Sequence, residues 1–224
     1  FIPQTGNVYL TIGEQANRQI TLKEKLYCDE LSHGDTKIMY YPVVFSRLSG
    51  HEFYVIKING SQILPRNFDG YATGDGDSDI NDGYIILPYT GEDINNYILD
   101  VNSDDIPSDW YTTNKKGVRK LKKTYESRIP QKIYVTQSGG YSPTEPIDGM
   151  GYMEAIFVPS PLMYDPTARV VYKGKQSEYS KLSRIGGEGR STATTVLSYE
   201  DIVLMQKMGI EQNDRKVLTF VDAR

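Results

Sequence analysis

Residues 52–64 read Glu-Phe-Tyr-Val-Ile-Lys-Ile-Asn-Gly-Ser-Gln-Ile-Leu, and this stretch decides the fold class. Its first seven residues are rich in aromatic and β-branched side chains and alternate well enough for a half-buried strand. Asn59-Gly60 follows at once, and this dipeptide is a strong hairpin signal because both residues tolerate a positive φ. The sequence therefore predicts a strand over residues 52–58 that pairs with a return strand over residues 61–64.

Strand patterns recur on both sides of this hairpin, separated by turns rich in Gly, Pro and Ser. They cover residues 8–12, 37–45, 84–87, 96–101, 132–137, 152–158, 169–173 and 216–221. One helix is predicted over residues 198–208, because Ser198 can cap it and Gly209 can end it. Residues 115–128 fit either a second helix or a mobile cationic loop. We expect a mainly β protein, with a β-sandwich or barrel-like core, long loops and a short C-terminal helix.

The composition limits the classes of function. The chain has 224 residues, 38% of them hydrophobic, which is enough for one ordinary domain or two small ones. Its single cysteine, Cys28, excludes an internal disulfide and multi-cysteine metal sites, and His33 and His51 alone leave little for a zinc site or a catalytic triad. The longest apolar runs are far shorter than the roughly 18 residues of a membrane-spanning helix. We therefore expect a protein that is not an enzyme and has no transmembrane helix.

The charge pattern divides the chain into three parts. Residues 1–110 contain 7 Lys and Arg against 17 Asp and Glu, a net charge of −10, and residues 111–224 contain 18 against 12, a net charge of +6. We expect an N-terminal arm and the first part of the β core in residues 1–66. An acidic-to-basic excursion, which could form a small insertion, follows in residues 67–131. The rest of the core, with the helix, occupies residues 132–224.

A basic strip follows an acidic segment, residues 67–114, that holds 11 acids and no Lys or Arg. The strip consists of Lys115, Lys116, Arg119, Lys120, Lys122, Lys123, Arg128 and Lys132. Such an asymmetry can arise from surfaces that meet head to tail in an oligomer, from a face that binds nucleic acid, or by chance. A pI near 5.3 argues against nucleic acid. We therefore expect the strip to contact acids of a protein partner, such as the acidic segment of a neighbouring copy.

Residues 74–83 present acids at every second position, which is how a loop offers oxygen ligands to Ca²⁺. The predicted ligands are Asp75, Asp77, Asp79 and Asn81. The segment is not an EF-hand, because Ile80 stands where that loop needs Gly and Ile86 where it needs Glu. A loose calcium loop and a solvated acidic hairpin tip both fit the pattern. We expect no cofactor other than this Ca²⁺.

Two further patterns suggest a phosphate-binding loop and a catalytic cysteine, and both lack the expected signature. The glycine-rich residues 185–192 lack the order of a phosphate-binding loop, so we expect a flexible loop or one ordered by a neighbouring subunit. Cys28, His33 and Asp35 lie close in sequence, but catalytic pairs are normally joined by the fold, and no cysteine-protease signature surrounds Cys28.

The N-terminal residues carry a family resemblance. Residues 1–10 read Phe-Ile-Pro-Gln-Thr-Gly-Asn-Val-Tyr-Leu, and residues 20–27 read Ile-Thr-Leu-Lys-Glu-Lys-Leu-Tyr. This succession of Pro, Gly, a short apolar strand and an Ile-Thr-Leu stretch resembles an N-terminal segment of structural proteins in tailed bacteriophage virions. The resemblance implies an assembly role in a tail, neck, baseplate or head decoration, and it brings no catalytic residues.

The leading hypothesis is therefore a non-enzymatic structural subunit of a phage virion, which packs against copies of itself and against other virion proteins. Its predicted interface uses Val8, Tyr9 and Leu10 together with the basic strip. One alternative is an extracellular bacterial filament subunit or adhesin, in which residues 8–12 complete the sheet of a neighbour. Another is a carbohydrate-binding domain that uses Trp110 as a sugar platform near Asp104 and Asp109. Neither a membrane nor nucleic acid is an expected partner.

Overall fold

The structure is a computed structural model of the chain. It describes residues 7–34, 36–68, 80–100, 106–113, 117, 119–147, 151–172, 176–184, 190–211 and 214–216. At residues 80, 81, 190–197 and 200 the description covers the backbone alone.

The hairpin predicted from residues 52–64 forms as β4 (Glu52–Asn59) and β5 (Gln62–Pro65). The strands pair antiparallel, with Asn59 opposite Gln62, which leaves a two-residue turn at Gly60 and Ser61. Of these two residues only Gly60 has a positive φ, of 57°. A glycine at the first turn position is typical of a type II′ hairpin, so the turn lies one residue later than the Asn-Gly pattern predicts.

Within the described residues, ten strands form one antiparallel sheet and four form two small sheets. The other strands are β1 (Val8–Thr11), β2 (Ile20–Thr21), β3 (Tyr40–Ser46), β6 (Ile80–Ile86), β7 (Tyr111–Thr113), β8 (Arg119–Leu121), β9 (Gln131–Thr136), β10 (Tyr141–Ser142), β11 (Tyr152–Pro159), β12 (Tyr164–Asp165), β13 (Val170–Val171) and β14 (Leu182–Ser183). The large sheet has the order β10-β9-β11-β6-β4-β3-β1-β2, with β5 beside β4 and β14 beside β3. Because β6 is central in this order, residues 80–86 of the predicted acidic-to-basic excursion belong to the core sheet.

The large sheet curls back on itself, which gives the core a barrel-like form. The Ile63 N–H donates to the Gly139 carbonyl and the Tyr141 N–H donates to the Ser61 carbonyl, both at 2.8 Å, so β5 meets the start of β10. The enclosed face holds the largest apolar cluster, which includes Tyr41, Val43, Tyr54, Ile56, Ile58, Ile63, Ile85, Ile133, Val135, Ala155 and Phe157. The predicted mainly β class is thus confirmed, and of the two predicted forms of the core, sandwich and barrel, the structure has the barrel-like one.

The opposite face of the sheet is also covered, so β4 buries both faces. Phe53 and Val55 of β4 pack in a second cluster with Leu162 and with a 3-10 helix, Ile94–Tyr97. The prediction of a strand over residues 96–101 is wrong, because this 3-10 helix occupies its start. The Asp93 carboxylate accepts a hydrogen bond from the Asn95 N–H at 2.9 Å and caps the short helix instead.

A buried ion pair fixes α2 (Glu178–Lys181) to this covered face. Lys181 Nζ lies 2.9 Å from Glu178 Oε1 and donates to the Leu162 carbonyl at 2.7 Å. The Tyr84 hydroxyl donates to Glu178 Oε2 at 2.6 Å, and the Leu162 N–H lies 3.1 Å from both carboxylate oxygens. Each buried charge therefore has partners that replace water, and the network ties Leu162 and α2 to Tyr84 of β6.

The C-terminal helix is longer than the sequence predicts. α3 spans Arg190–Lys207 and begins eight residues before the predicted start at Ser198. Ser198 is therefore an interior residue and not the cap. The added residues are rich in Ser and Thr, which have low helix propensity, so the pattern did not indicate helix there. The predicted end is confirmed, because Gly209 has a φ of 77° just after the helix. No described helix combines the length and the apolar character that crossing a membrane requires.

Candidate interaction surface

Trp110 anchors the part of the surface that carries the basic strip. Its side chain is 3% exposed, and its ring stacks on that of Tyr125 with centroids 4.5 Å apart and planes at 5°. The residues packed around this stack include Leu99, Ile106, Tyr111, Leu121, Ile129, Met163, Tyr164 and Val171. The prediction that Trp110 is a sugar platform is therefore wrong, because its ring belongs to an internal cluster.

The strands β7 and β8 form a hairpin on this anchor. Tyr111 lies opposite Leu121, and both pack into the Trp110 cluster. Thr112 lies opposite Lys120, and both side chains are exposed. The hairpin thus has one face on the protein and one face in solvent.

The chain between these strands and after them explains why the basic strip is not one long helix. Gly117 has a φ of 77°, in the left-handed region, which ends any helix. Lys122 is extended, and its N–H donates to the Trp110 carbonyl at 2.9 Å. A single helical turn, α1 (Lys123–Glu126), follows. Residues 119–126 of the strip therefore fold as a strand and one helical turn, and neither predicted alternative describes this part of it.

The cations of the strip divide into two groups. Arg119, Lys120 and Lys123 are exposed, and Lys122 donates from its ammonium group to the Asp109 carbonyl at 2.6 Å. We call these four residues the cationic hairpin. Arg128 instead donates to the Ser160 carbonyl, and Lys132 lies 2.5 Å from Glu154. Lys115 and Lys116 lie outside the described residues.

The cationic hairpin holds an excess of positive charge at the surface. Between residues 119 and 126 there are four cations and one acid, Glu126. The Arg119 guanidinium lies 4.3 Å from the centroid of the Tyr111 ring, a cation–π contact that holds it along the hairpin. By contrast, the hydrogen bond to Glu154 raises the pKa of Lys132, so this lysine is committed within the protein.

The other predicted interface residues lie in the core sheet. Val8, Tyr9 and Leu10 belong to β1, which pairs with β2 on one side and β3 on the other. Val8 and Tyr9 are buried, at 3% and 7% exposure. The strand β1 thus completes the chain's own sheet, and the predicted interface role of these three residues stays a prediction.

The predicted calcium ligands Asp75, Asp77 and Asp79 lie outside the described residues. Asn81 is in β6, where its backbone pairs opposite Ile58. Over the ranges that the structure describes, no group of three or more His, Cys, Asp or Glu side chains is placed to hold a metal ion. The calcium loop therefore stays a prediction.

A polar network that the sequence does not reveal lies at one end of the barrel. Arg18 pairs with Glu52, and their side chains are only 7% and 11% exposed. Glu52 also accepts a hydrogen bond from the Tyr89 hydroxyl at 2.6 Å. These residues are far apart in sequence, so only the curled sheet brings them together. The one available signal is Glu52 itself, an acid at a position that the strand pattern predicts to be buried.

His51 extends this network. Its ring stacks on Tyr89 with centroids 4.3 Å apart, and its Nε2 lies 3.2 Å from the Leu87 carbonyl, which fixes the proton at that nitrogen. Burial lowers the pKa of His51, although the nearby Glu52 carboxylate acts in the opposite direction. Hydrogen bonds from the Tyr97 hydroxyl and the Tyr89 N–H lower the pKa of Glu92. Because burial lowers its pKa, the His51 imidazole is neutral, and its stack on Tyr89 makes it a packing element at this end of the barrel.

The residues weighed for nucleophilic catalysis do not form a pair in the structure. The Cys28 thiol is buried and donates to the Glu30 carboxylate at 3.3 Å, while His33 is exposed and its backbone bridges to Thr36. Asp35 lies outside the described residues.

Helix α3 and Met208, the residue after it, expose large apolar side chains. Tyr199, Ile202, Leu204 and Met208 are 64%, 40%, 55% and 70% exposed. They are spread around the helix axis, so no single face accounts for them. Covering these side chains in an assembly would remove apolar area from water.

Comparison with protein-family models, with curated proteins and with solved structures finds no match to this chain.

Proposed function

We propose that this chain is a non-enzymatic structural subunit of a larger assembly, and that the cationic hairpin binds an acidic surface on a neighbouring copy. The single observation that carries the proposal is the hairpin's construction. The stack of the buried Trp110 on Tyr125 anchors two strands whose outer face displays cations with few acids beside them. A positive surface on a rigid support can both steer and orient a negatively charged partner.

The partner surface is inferred from charge complementarity. Residues 67–114 contain 11 acids and no Lys or Arg, while the chain from residue 111 onward has a net charge of +6. In a head-to-tail contact the cationic hairpin of one copy meets this acidic segment of the next. A contact between two different surfaces can repeat, so it builds a ring or a filament.

The exposed apolar residues of α3 also favour an assembly. Fully burying a side chain such as Leu204 contributes about 1.5–3 kcal/mol relative to leaving it in water. A subunit that covers α3 when it packs against its neighbours recovers this energy. The charged hairpin then orients the contact, and the apolar helix adds to its strength.

A tailed-phage virion is the assembly that we propose. The N-terminal resemblance of residues 1–27 to virion structural proteins supports this choice, and the rigid β core with its oppositely charged regions is compatible with it. Mass spectrometry of purified virions that encode this chain tests the location directly. Recovery at a stoichiometric copy number supports the proposal, whereas absence from the particle contradicts it.

Light scattering at two salt concentrations tests the contact itself. The variant Lys120→Glu with Lys123→Glu reverses two exposed charges of the cationic hairpin. Its matched control, Lys23→Glu with Lys25→Glu, makes the same change in net charge on a different part of the surface, where Lys25 forms an exposed pair with Asp29 at 3.7 Å. We expect the wild type and the control to form the same oligomer at about 50 mM salt.

The hairpin variant should associate at least about tenfold more weakly at this salt concentration, because two attractive contacts become repulsive. Near 1 M salt the Debye length falls to about 3 Å, so the difference between variant and control should largely disappear. Equal weakening in the control would show that only net charge matters. A wild-type chain that stays monomeric at high concentration would contradict the proposed function.

A further inference from the structure

A cleft at the polar end of the barrel has the dimensions of a small-molecule site. It has a volume of about 440 Å³ and lies between the turn that joins β1 to β2 and the ends of β9 and β11. Its walls are formed by Gly13, Glu14, Ala16, Asn17, Gln19, Leu31, Gln137 and Met153. Ligand sites recur at the mouths of β-barrels and in clefts of this size.

Arg18 holds the β1–β2 side of the cleft in place. Its Nε donates to the Gly13 carbonyl at 2.8 Å, and its guanidinium pairs with Glu52 at the start of β4. The guanidinium also lies over the ring of Tyr54, 5.9 Å from its centroid. The turn is thus tied to the barrel by a largely buried ion pair, so the cleft is preformed and binding orders little additional chain.

Side-chain amides dominate the polar lining. Asn17, Gln19 and Gln137 each bring a carboxamide, and those of Asn17 and Gln19 are exposed to solvent. A Cβ added at Gly13 would lie 3.6 Å from Gln137 Nε2, so this carboxamide faces the β1–β2 turn. Each carboxamide offers two N–H donors and one carbonyl acceptor. The cleft therefore matches a ligand that both donates and accepts hydrogen bonds.

The remaining lining residues define the charge and the apolar character of the ligand. Glu14 is the only charged residue among those that line the cleft, which disfavours an anion. Leu31, Met153 and Ala16 provide apolar surface beside the amides. A ligand with hydroxyl groups on its edge and C–H groups on its face fits both parts of this lining.

We propose that this cleft binds a neutral sugar, and specifically an N-acetylated hexose unit of a glycan. Neighbouring hydroxyl groups pair with the carboxamides of Gln19 and Gln137, and the C–H face of the ring lies on Leu31 and Met153. An acetamido group adds one N–H and one carbonyl for the carboxamides and a methyl group for the apolar surface. The site is separate from the cationic hairpin, so this proposal does not depend on the assembly role.

Titration of the ¹⁵N-labelled chain with three sugars tests the proposal. We expect chemical-shift changes confined to the cleft, strongest with N-acetylglucosamine, weaker with glucose and weakest with the anion glucuronate. Tighter binding of N-acetylglucosamine oligomers than of the monosaccharide would identify a glycan as the ligand. Equal affinity for both would overturn the glycan assignment and leave a free sugar.

Two pairs of variants distinguish a binding role from a structural one. Gln137→Leu should weaken sugar binding about tenfold, the loss of one or two neutral hydrogen bonds, whereas Gln131→Leu at the other end of β9 should leave it unchanged. On the turn, Gln19→Ala should weaken binding and Gln15→Ala, which is outside the lining, should not. Absence of cleft shifts with every sugar, or full binding by folded Gln137→Leu and Gln19→Ala chains, would overturn the proposal.

Discussion

Tyr84 and Tyr54 provide a matched test of how the buried polar groups stabilise this fold. Both side chains are buried, at 1% and 0% exposure. The Tyr84 hydroxyl donates to the Glu178 carboxylate at 2.6 Å, whereas the Tyr54 hydroxyl has no hydrogen-bond partner in the part of the chain that the structure describes. The same substitution, Tyr→Phe, therefore removes a bonded hydroxyl at one site and an unbonded hydroxyl at the other.

The expected magnitudes differ in sign as well as size. A hydrogen bond to a charged group contributes about 1.5–3 kcal/mol, and Tyr84→Phe takes one donor from a carboxylate that is 3% exposed. We expect its free energy of unfolding to fall by about 2 kcal/mol. Tyr54→Phe removes a hydroxyl that is hydrated in the unfolded chain and unpaired in the folded one. We expect it to leave stability unchanged or to raise it by up to about 1 kcal/mol.

Urea unfolding followed by circular dichroism and by fluorescence of the single Trp110 measures both changes. In a domain of this size about 1 kcal/mol corresponds to about 2–4 °C in melting temperature, so Tyr84→Phe should melt about 4–8 °C lower than the wild type. Equal losses in the two variants would refute the reasoning, because they would show that ring packing decides the cost and the hydroxyl partner does not.

Two further predictions follow from single residues. Burial lowers the pKa of His51, so below pH about 6.5 the unfolded chain binds a proton there that the folded chain does not. The free energy of unfolding should therefore be unaffected above that pH and should fall below it. Unfolding curves between about pH 5 and 7 should show a smaller loss of stability in His51→Gln. His33 is exposed, so His33→Gln should keep the full loss. Identical pH profiles for the two variants would count against this role of His51. A Cβ at Gly83 would lie 2.5 Å from the Phe157 ring and 2.5 Å from the Val158 carbonyl, so Gly83→Ala should cost about 3 kcal/mol. Gly60→Ala meets open space and should lose only about 1 kcal/mol through its positive φ; a comparable melting temperature for the two would contradict the steric argument.

The β core could be predicted from the sequence because its information is local. The alternation over residues 52–58 and the turn glycine are both readable within thirteen residues, and they produce β4 and β5. The strands of β9 and β11 follow from the same period of two and end within one residue of their predicted limits. Where local propensity and the observed backbone disagree, the prediction fails. The Ser- and Thr-rich start of α3 is an example, because its helix propensity is low although its backbone is helical.

The candidate sites could be predicted less well, because partners distant in sequence define them. The basic strip can be recognised in the sequence. Only the structure shows that Lys120 and Lys123 are exposed, whereas Lys132 pairs with Glu154. Trp110 illustrates the limit most clearly. A lone tryptophan among acids and tyrosines fits a sugar platform as well as a packing anchor, and the stack on Tyr125 decides for the anchor.

The two proposed surfaces rest on different parts of the scaffold, which makes them separable. The cationic hairpin is attached through the Trp110–Tyr125 stack, while the cleft is held by Arg18 and Glu52 at the end of the barrel. Substitutions more than about 7–10 Å apart without shared partners usually act independently. Lys120→Glu with Lys123→Glu should therefore weaken association without changing sugar affinity, and Gln137→Leu should do the reverse. A variant that altered both properties would show that the sugar site is completed only in the assembly, so that a second copy contributes to the cleft.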